Sequence, residues 1–453
     1  MAALICLSGH HFVQAEEAAT IPGKDGWYFF RYERTDPSLR PEINKTLKLL
    51  EKANRLFKEN GIALVLSITP LKMRLYGEHL PKDFQTIPGM ENNHAEVINK
   101  LRQAGVLVTD QENAFKKSIR SDPEKLLYLR QDSHWTPAGA MVAAQSLREL
   151  IQQDASTAKI LDTIPVTKFE QIPSNHPVGV MSRDLMRTLP KGSTLPSPDL
   201  VPSFDVKRIS DSSLLQSSKD VPQITLIGSS FVSRNTQFPN ALRLALQRDL
   251  LDISTPGWQG PWVGMESYLK NPAFIANRPI LLIWEIPERD LANPPLSPWR
   301  DKTYRRDEED WLANLASQLA TRCTPSANNV SIASQQLAKQ PAGSTEGKSR
   351  ITESENPIEL SFDTSLKPDE YLLLDMVATG ETDLRFEACN AKKKTVYAQL
   401  QLPDDGKTHP IKISLPRSSG GDVSKICLYS EASATFNIER GQVCRLDKPW
   451  LFQ

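Results

Sequence analysis

Asp132 and His134 stand two residues apart in the stretch Leu129-Arg130-Gln131-Asp132-Ser133-His134-Trp135-Thr136-Pro137-Ala138-Gly139. In an extended segment, residues at that spacing point to the same side, so a carboxylate and an imidazole can meet or share one cleft. Such a pair suits a general base whose ring is oriented by its acid. The bland alternative is an aspartate that bonds the local backbone beside a half-buried histidine. A base also needs a nucleophile to serve, which the rest of the chain must supply.

The candidate nucleophile lies about a hundred residues later. Pro222-Gln223-Ile224-Thr225-Leu226-Ile227 reads as a strand buried on both faces, and it ends in Gly228-Ser229-Ser230-Phe231-Val232-Ser233 before an amphipathic helix carrying Phe238, Leu242, Leu244, Ala245 and Leu246. A hydroxyl on a strand-to-helix turn is where hydrolases place a serine nucleophile, since backbone N–H groups there can stabilise an oxyanion. Ser229 and Ser230 could equally cap the helix, and spacing alone does not say which hydroxyl reacts. The seven histidines are His10, His11, His79, His94, His134, His176 and His409. By sequence spacing, His134 is the one with an acidic partner suited to such a base.

The elements that would carry these residues follow an alternating order. Residues 41–60 show apolar positions at helical spacing and end at Gly61, and Ile62-Ala63-Leu64-Val65-Leu66-Ser67-Ile68 follows as a buried strand. Residues 94–103 read as a helix, Val106-Leu107-Val108 as a short strand, and residues after Asp110 as another helix. Leu126-Leu127-Tyr128-Leu129 is expected to be a strand leading into the Asp-x-His stretch, and Thr136 with Pro137 opens the helix that follows. Ile280-Leu281-Leu282-Ile283-Trp284-Glu285-Ile286 is a last central strand. Helix and strand in alternation predict an α/β fold, a mainly parallel sheet with flanking helices and its ligand site beyond the carboxyl ends of the strands. Residues 159–217 lack a sustained period and read as loops with a small hairpin, a plain insertion in the first instance, with a lid or a wall of the site as the other readings.

Past Pro298 the texture changes to one helix (307–319), a Ser-, Ala- and Gln-rich linker, and short strands at 371–376, 395–400 and 411–415, which predict a small all-β sandwich. The expected division is residues 1–15 as a signal peptide short of the usual basic start, 16–305 as the α/β domain, 306–345 as helix and linker, and 346–453 as the sandwich. Val13-Gln14-Ala15 has the form of a signal-peptidase site, and no later run approaches the ~20 apolar residues of a membrane span. Of five cysteines, the four beyond the leader (Cys323, Cys389, Cys427 and Cys444) lie in the last third, as disulfides of an exported domain would. Cys323 with Cys444 is the preferred pair because it clasps the ends of the module, leaving Cys389 with Cys427. No Cys-x-x-Cys or His-rich spacing suggests a metal. Lys+Arg and Asp+Glu both number 54 in 453 residues, so no global field recruits nucleic acid or another polyanion.

With Asp132-Ser133-His134-Trp135-Thr136 and Gly228-Ser229-Ser230-Phe231 at strand ends, the chain resembles the AlgX/AlgJ family of alginate O-acetylation proteins, whose SGNH-hydrolase-like domain has Asp-x-His before the serine. Thr69-Pro70-Leu71-Lys72-Met73-Arg74-Leu75-Tyr76 and Trp284-Glu285-Ile286-Pro287-Glu288-Arg289 are similar to the family as well. The likeness covers residues 23–291, and the terminal β module after a leader is closer in layout to the AlgX branch, which ends in a carbohydrate-binding module. Ser229 departs from the threonine usual in the family. The resemblance implies Ser230 as nucleophile, His134 as base and Asp132 as the residue orienting it. It implies an O-acetyltransferase of an exported uronate polymer, periplasmic, without cofactor, receiving acetyl from membrane or periplasmic acetylation proteins in an export complex. A polysaccharide acetyl esterase and a non-catalytic glycan-binding subunit are the other readings. Trp135, Trp258 and Trp262 are candidate sugar platforms, although core packing explains a tryptophan more often. Arg289, Arg74 and Lys72 are candidate contacts for a uronate carboxylate, with structural ion pairs the competing explanation.

Overall fold

A computed structural model of the chain describes residues 19–33, 37–82, 84, 89–174, 183–209, 221–257, 259–296, 306–333, 357–380, 382–389, 396–415, 423–430 and 435–452. The expected signal peptide, Trp258 and residues 334–345 of the expected linker lie outside these.

Five parallel strands form the central sheet: β1 (Ala63–Thr69), β2 (Leu107–Thr109), β3 (Ile224–Gly228), β4 (Leu251–Ser254) and β5 (Leu281–Pro287). Their order across the sheet is β2-β1-β5-β3-β4. β1 and β5 run in register from Ala63 opposite Leu281 to Thr69 opposite Pro287, and β3 flanks β5 on its other side. The carboxyl ends of β1, β5 and β3 therefore share one edge, and the functional turns gather there. β3 and β5 are buried along their whole length because helices cover both faces.

One face is covered by α1 (Arg40–Glu59), whose Leu47, Leu50, Ala53, Leu56 and Phe57 are buried, and by α2 (Asn93–Gln103). α1 ends where Gly61 takes φ +76°, a conformation that costs glycine little. The other face is covered by α3 (Gln111–Ser121), α4 (Pro137–Gln153) and α5 (Phe238–Leu246). Thr136 caps α4 as its sequence predicts, its hydroxyl accepting from Gly139 N at 3.1 Å.

Two expectations change locally. Leu126-Leu127-Tyr128-Leu129 does not join the sheet. It folds back on the following stretch through a single antiparallel bridge from Tyr128 to Trp135, with Leu129 N donating to His134 O and Thr136 N to Leu127 O. Its apolar side chains are buried, Leu126 partly so, but those local bonds and a bond from Leu127 N to Tyr76 Oη take its backbone. Asp132 to His134 is accordingly the tip of a tight loop rather than an extended segment. Gly139 is held against this loop, where a Cβ would stand 2.2 Å from Leu127 O. Within the long insertion, Phe169–Pro173 pairs with Phe204–Arg208 as the expected hairpin.

The C-terminal part is a sandwich of two antiparallel sheets. One has the order Thr324–Pro325, Thr435–Arg445, Glu370–Thr379, His409–Ser414; the other runs Val330–Ala333, Ile358–Phe362, Lys425–Ser430, Thr382–Ala388, Val396–Leu402. Leu360, Leu374, Phe386, Ile413 and Leu428 fill the space between them. Two of these strands come from residues 324–333, inside the stretch expected to be helix and linker. Disulfides join Cys323 to Cys444 and Cys389 to Cys427. The helix α6 (Gly260–Leu269) and the later α7 (Glu308–Leu319) tie the two parts together. Trp311 of α7 lies against Trp262 and Trp284, and the same core includes Tyr371, Leu373 and Leu446 of the sandwich.

Candidate active site

Asp132 and His134 come from the loop before α4, and Ser230 from the turn after β3. His134 Nδ1 lies 2.6 Å from Asp132 Oδ1, and His134 Nε2 lies 2.7 Å from Ser230 Oγ. The same Asp132 oxygen accepts from His134 N at 3.0 Å, so one carboxylate oxygen fixes both the backbone and the ring of the histidine. Asp132 and His134 meet through this tight turn, not by extended geometry. Asp132 is buried, while the imidazole keeps 14% of its side chain exposed and Ser230 is half-buried, which leaves the serine–histidine edge partly exposed.

Several histidines find a carboxylate among the described residues. His94 Nδ1 lies 2.8 Å from Glu288 and His409 Nε2 2.8 Å from Asp405, so an acidic partner is less selective than sequence spacing suggests. The serine hydroxyl at Nε2 sets His134 apart.

The choice between the two hydroxyls has a geometric answer. Ser229 is turned away into the sheet, where its N and Oγ donate to Glu285 Oε2 at 2.9 and 2.8 Å. Ser230 opens a short 3-10 turn (Ser230–Val232) and faces the imidazole. Phe231 packs its ring 4.7 Å from that of His134.

The electrostatics favour a charged imidazolium more than an ordinary site does. Burial pulls the His134 pKa down, but the hydrogen bond and charge of Asp132 and the charge of Asp184 outweigh it and leave the pKa raised. Asp184 sits at the start of a short turn in the insertion and was not legible as a site residue. Its Oδ1 accepts from Ser133 N at 2.7 Å, its Oδ2 from Ser133 Oγ at 2.5 Å, and its own N donates to Asp132 Oδ2 at 3.0 Å. The insertion therefore forms one wall of the site and braces the Asp-x-His loop.

Of the predicted substrate contacts, four are corrected. Trp135 is 0% exposed among Phe115, Phe231 and Phe238. Trp262 is 1% exposed and donates from Nε1 to Asn293 O. Both are core side chains, Trp135 in the cluster beneath α4 and α5 and Trp262 on α6 against Trp284 and Trp311. Arg74 is buried in an ion pair with Glu112 and Glu288, and Glu288 is further bound to Asn93 and His94. Lys72 is fully buried, and its Nζ donates to Tyr28 O at 2.6 Å and to Arg130 O and Asp132 O at 3.0 Å. It thus clamps the Asp-x-His loop from below instead of meeting substrate. Arg289 remains accessible, with 16% of its side chain exposed; it pairs with Glu33 at 3.4 Å and lies 5.5 Å over the rings of Phe30 and Phe231.

Two groups of described residues bring three metal-type ligands together. Between Glu112 and Glu288 beside His94, the Arg74 guanidinium occupies the position a cation would take. In the group Asp132, His134 and Asp184, the carboxylate oxygens already face N–H and O–H donors. The chemistry legible here is that of a hydroxyl nucleophile and its base.

Comparison with known proteins shows the family and the fold. Residues 20–288 match the family model described as "SGNH hydrolase-like domain, acetyltransferase AlgX". A probable alginate O-acetylase AlgJ of Pseudomonas putida is 28% identical over 308 residues, covering 65% of this chain and 74% of its own. The alginate biosynthesis protein AlgX of Pseudomonas fluorescens is 25% identical over 421 residues, 89% of this chain and 74% of that one. The solved O-acetyltransferase domain of Pseudomonas putida AlgJ superposes with a TM-score of 0.53 at 27% identity, covering 66% of this chain and 98% of the domain. Pseudomonas aeruginosa AlgX superposes with a TM-score of 0.58 over 94% of both chains at 18% identity, a likeness of fold that extends through the β-sandwich.

Proposed function

Because the chain belongs to the SGNH hydrolase-like family of the acetyltransferase AlgX, we propose that it is an O-acetyltransferase acting on alginate or a similar uronate polymer. The observation that carries this reading is the line Asp132 Oδ1, His134 Nδ1, His134 Nε2, Ser230 Oγ, with successive contacts of 2.6 and 2.7 Å.

In the first half-reaction His134 Nε2 takes the Ser230 proton as Oγ attacks the carbonyl of an acetyl ester. The tetrahedral adduct collapses to acetyl-serine, and the leaving alkoxide receives the proton from His134. In the second, a sugar hydroxyl gives its proton to His134 and attacks the acetyl-serine, restoring Ser230. The backbone N–H of Ser230 is the candidate donor to the oxyanion, an effect worth about 3 kcal/mol per donor, since those of Ser229, Phe231 and Val232 are already engaged. Asp132 holds the ring in the tautomer that leaves Nε2 free to accept. Arg289, at the accessible edge beside Phe231, is the candidate contact for a uronate carboxylate, and Trp258 remains a candidate platform. The wider setting is proposed from the likeness to AlgX and AlgJ: a periplasmic protein, its sandwich binding the polymer, its acetyl supplied by membrane or periplasmic acetylation proteins of an export complex.

The test supplies a small acetyl ester with and without uronate oligosaccharide and follows acetyl by mass spectrometry. The expected result is acetylated sugar and an acetyl adduct on Ser230, both abolished in Ser230→Ala, with rates falling about 10⁴-fold or more. Acetate release at an unchanged rate with no acetylated sugar would make the protein an esterase. Undiminished sugar acetylation by Ser230→Ala would remove the nucleophile.

A further inference from the structure

Glu285 lies on β5, the strand between β1 and β3, and its side chain is wholly buried. Burying a carboxylate is costly unless donors converge on it. Three do: Thr69 Oγ1, from the end of β1, donates to Oε1 at 2.6 Å, and Ser229 N and Ser229 Oγ donate to Oε2 at 2.9 and 2.8 Å. Glu285 thus ties the carboxyl ends of two flanking strands to the strand between them, at the edge where the site is built.

The bonds continue into the nucleophile turn. Ser229 Oγ spends its proton on Glu285 and accepts from Phe231 N at 3.2 Å. The residue before Ser230 and the residue after it are therefore held by one hydroxyl, which is itself held by Glu285. Gly228 completes the arrangement: a Cβ there would stand 2.6 Å from Glu285 Oε2 and 2.6 Å from Val232 Cγ2, so the glycine lets the strand end sit on the carboxylate.

We propose that Glu285 is a positioning residue for the transfer reaction, acting through Ser229 to fix the turn that aims the Ser230 hydroxyl at His134. It touches neither substrate nor imidazole. The proposal rests on the reading of Ser230 as the nucleophile, and it accounts for the hydroxyl beside the nucleophile, which otherwise has no task in the mechanism.

The experiment measures stoichiometric labelling of Ser230 by a nitrophenyl phosphonate, together with kcat and KM for nitrophenyl acetate, in Glu285→Gln, Ser229→Ala, Ser229→Thr and the double variant Glu285→Gln/Ser229→Ala. Misplacing a reacting atom by about 1 Å costs on the order of 10²-fold. Glu285→Gln and Ser229→Ala should each slow labelling and kcat by about that factor with KM little changed. Ser229→Thr, which keeps both the N–H and a hydroxyl, should stay near the parent. The double variant should be no slower than the worse single one, because both changes cut the same path. Parent-like labelling in a folded Ser229→Ala overturns the proposal, as does full additivity in the double variant. Should Glu285→Gln not fold, the contrast between Ser229→Ala and Ser229→Thr decides alone. Ser230→Ala is the control: if it still takes up the phosphonate, the nucleophile assignment itself fails, whereas a clean control with parent-like Ser229→Ala refutes only the role of Glu285.

Discussion

Replacing Asp184 with asparagine removes one charge from beside the base while keeping most of the loop's bonds. The Asp184 backbone N still serves Asp132 Oδ2, and an asparagine oxygen still accepts from Ser133 N. The lost charge stood 3.7 Å from His134 Nδ1, with 32% of the Asp184 side chain exposed. At that distance the attraction on an imidazolium is about 1 kcal/mol in water and about 4 kcal/mol at the effective permittivity of a protein surface. Partial exposure places the effect in the lower half of that range, about 1 to 2 kcal/mol, or about one pH unit. The sign follows from the role. His134 must be neutral to accept the serine proton, so the acid limb of kcat/KM sits at its pKa, which the structure holds raised, partly through Asp184. Asp184→Asn should therefore move the acid limb to lower pH by about one unit, retaining relative activity where the parent has lost it. The assay is the pH dependence of nitrophenyl acetate turnover beside a thermal melt of the same variant. An unmoved or upward-shifted acid limb in a folded protein would refute the electrostatic account of the insertion.

Other substitutions probe the buried residues that the sequence offered as substrate contacts. Trp135→Ala and Trp262→Ala should each cost about 3 to 5 kcal/mol of stability, as large core truncations do, read by urea unfolding; a selective rise in acceptor KM without destabilisation would contradict their burial. Arg74→Ala leaves Glu112 and Glu288 facing each other without their cation and should cost about 3 to 5 kcal/mol, with Arg74→Lys a poor substitute for its two-pronged contact. The Arg74 charge and the His94 contact hold Glu288 well below the usual carboxylate range despite burial, so Arg74→Ala should also raise the acid limit of folding, measured by circular dichroism against pH. Reducing Cys323–Cys444, which spans 121 residues of sequence, should cost about 5 kcal/mol in the chain-entropy account and lower the urea midpoint of the sandwich.

The parallel sheet was legible because its strands are short apolar runs set between helices of clear period, and β1, β3 and β5 lie where those runs predict. The segment at 126–129 misled for the same reason. Three of its four apolar residues are buried as a strand's would be, and Leu126 partly so, but its backbone bonded to the returning loop. Strands at 324–333 were missed because a two-residue and a four-residue strand carry almost no period.

At the site, the residues proposed as base and nucleophile were legible because each sits in a local motif, whereas those holding them in place were not. Lys72 and Glu285 did carry a signal: one is a charge just after an apolar strand and the other a charge inside one, and a charge in such a place must find partners. What sequence alone could not supply is the partner. Lys72 bonds to carbonyls 44, 58 and 60 residues away, and Glu285 to hydroxyls 216 and 56 residues away. Only the sheet order brings those positions together. The cation lies beneath the loop that carries the base and donates to its carbonyls; the anion lies beneath the turn that carries the nucleophile and accepts from its N–H and hydroxyl. Each buried charge thus faces the backbone polarity left unsatisfied at a tight turn. The 2.7 Å contact between His134 and Ser230 is therefore set from the sheet upward, by residues that substrate never reaches.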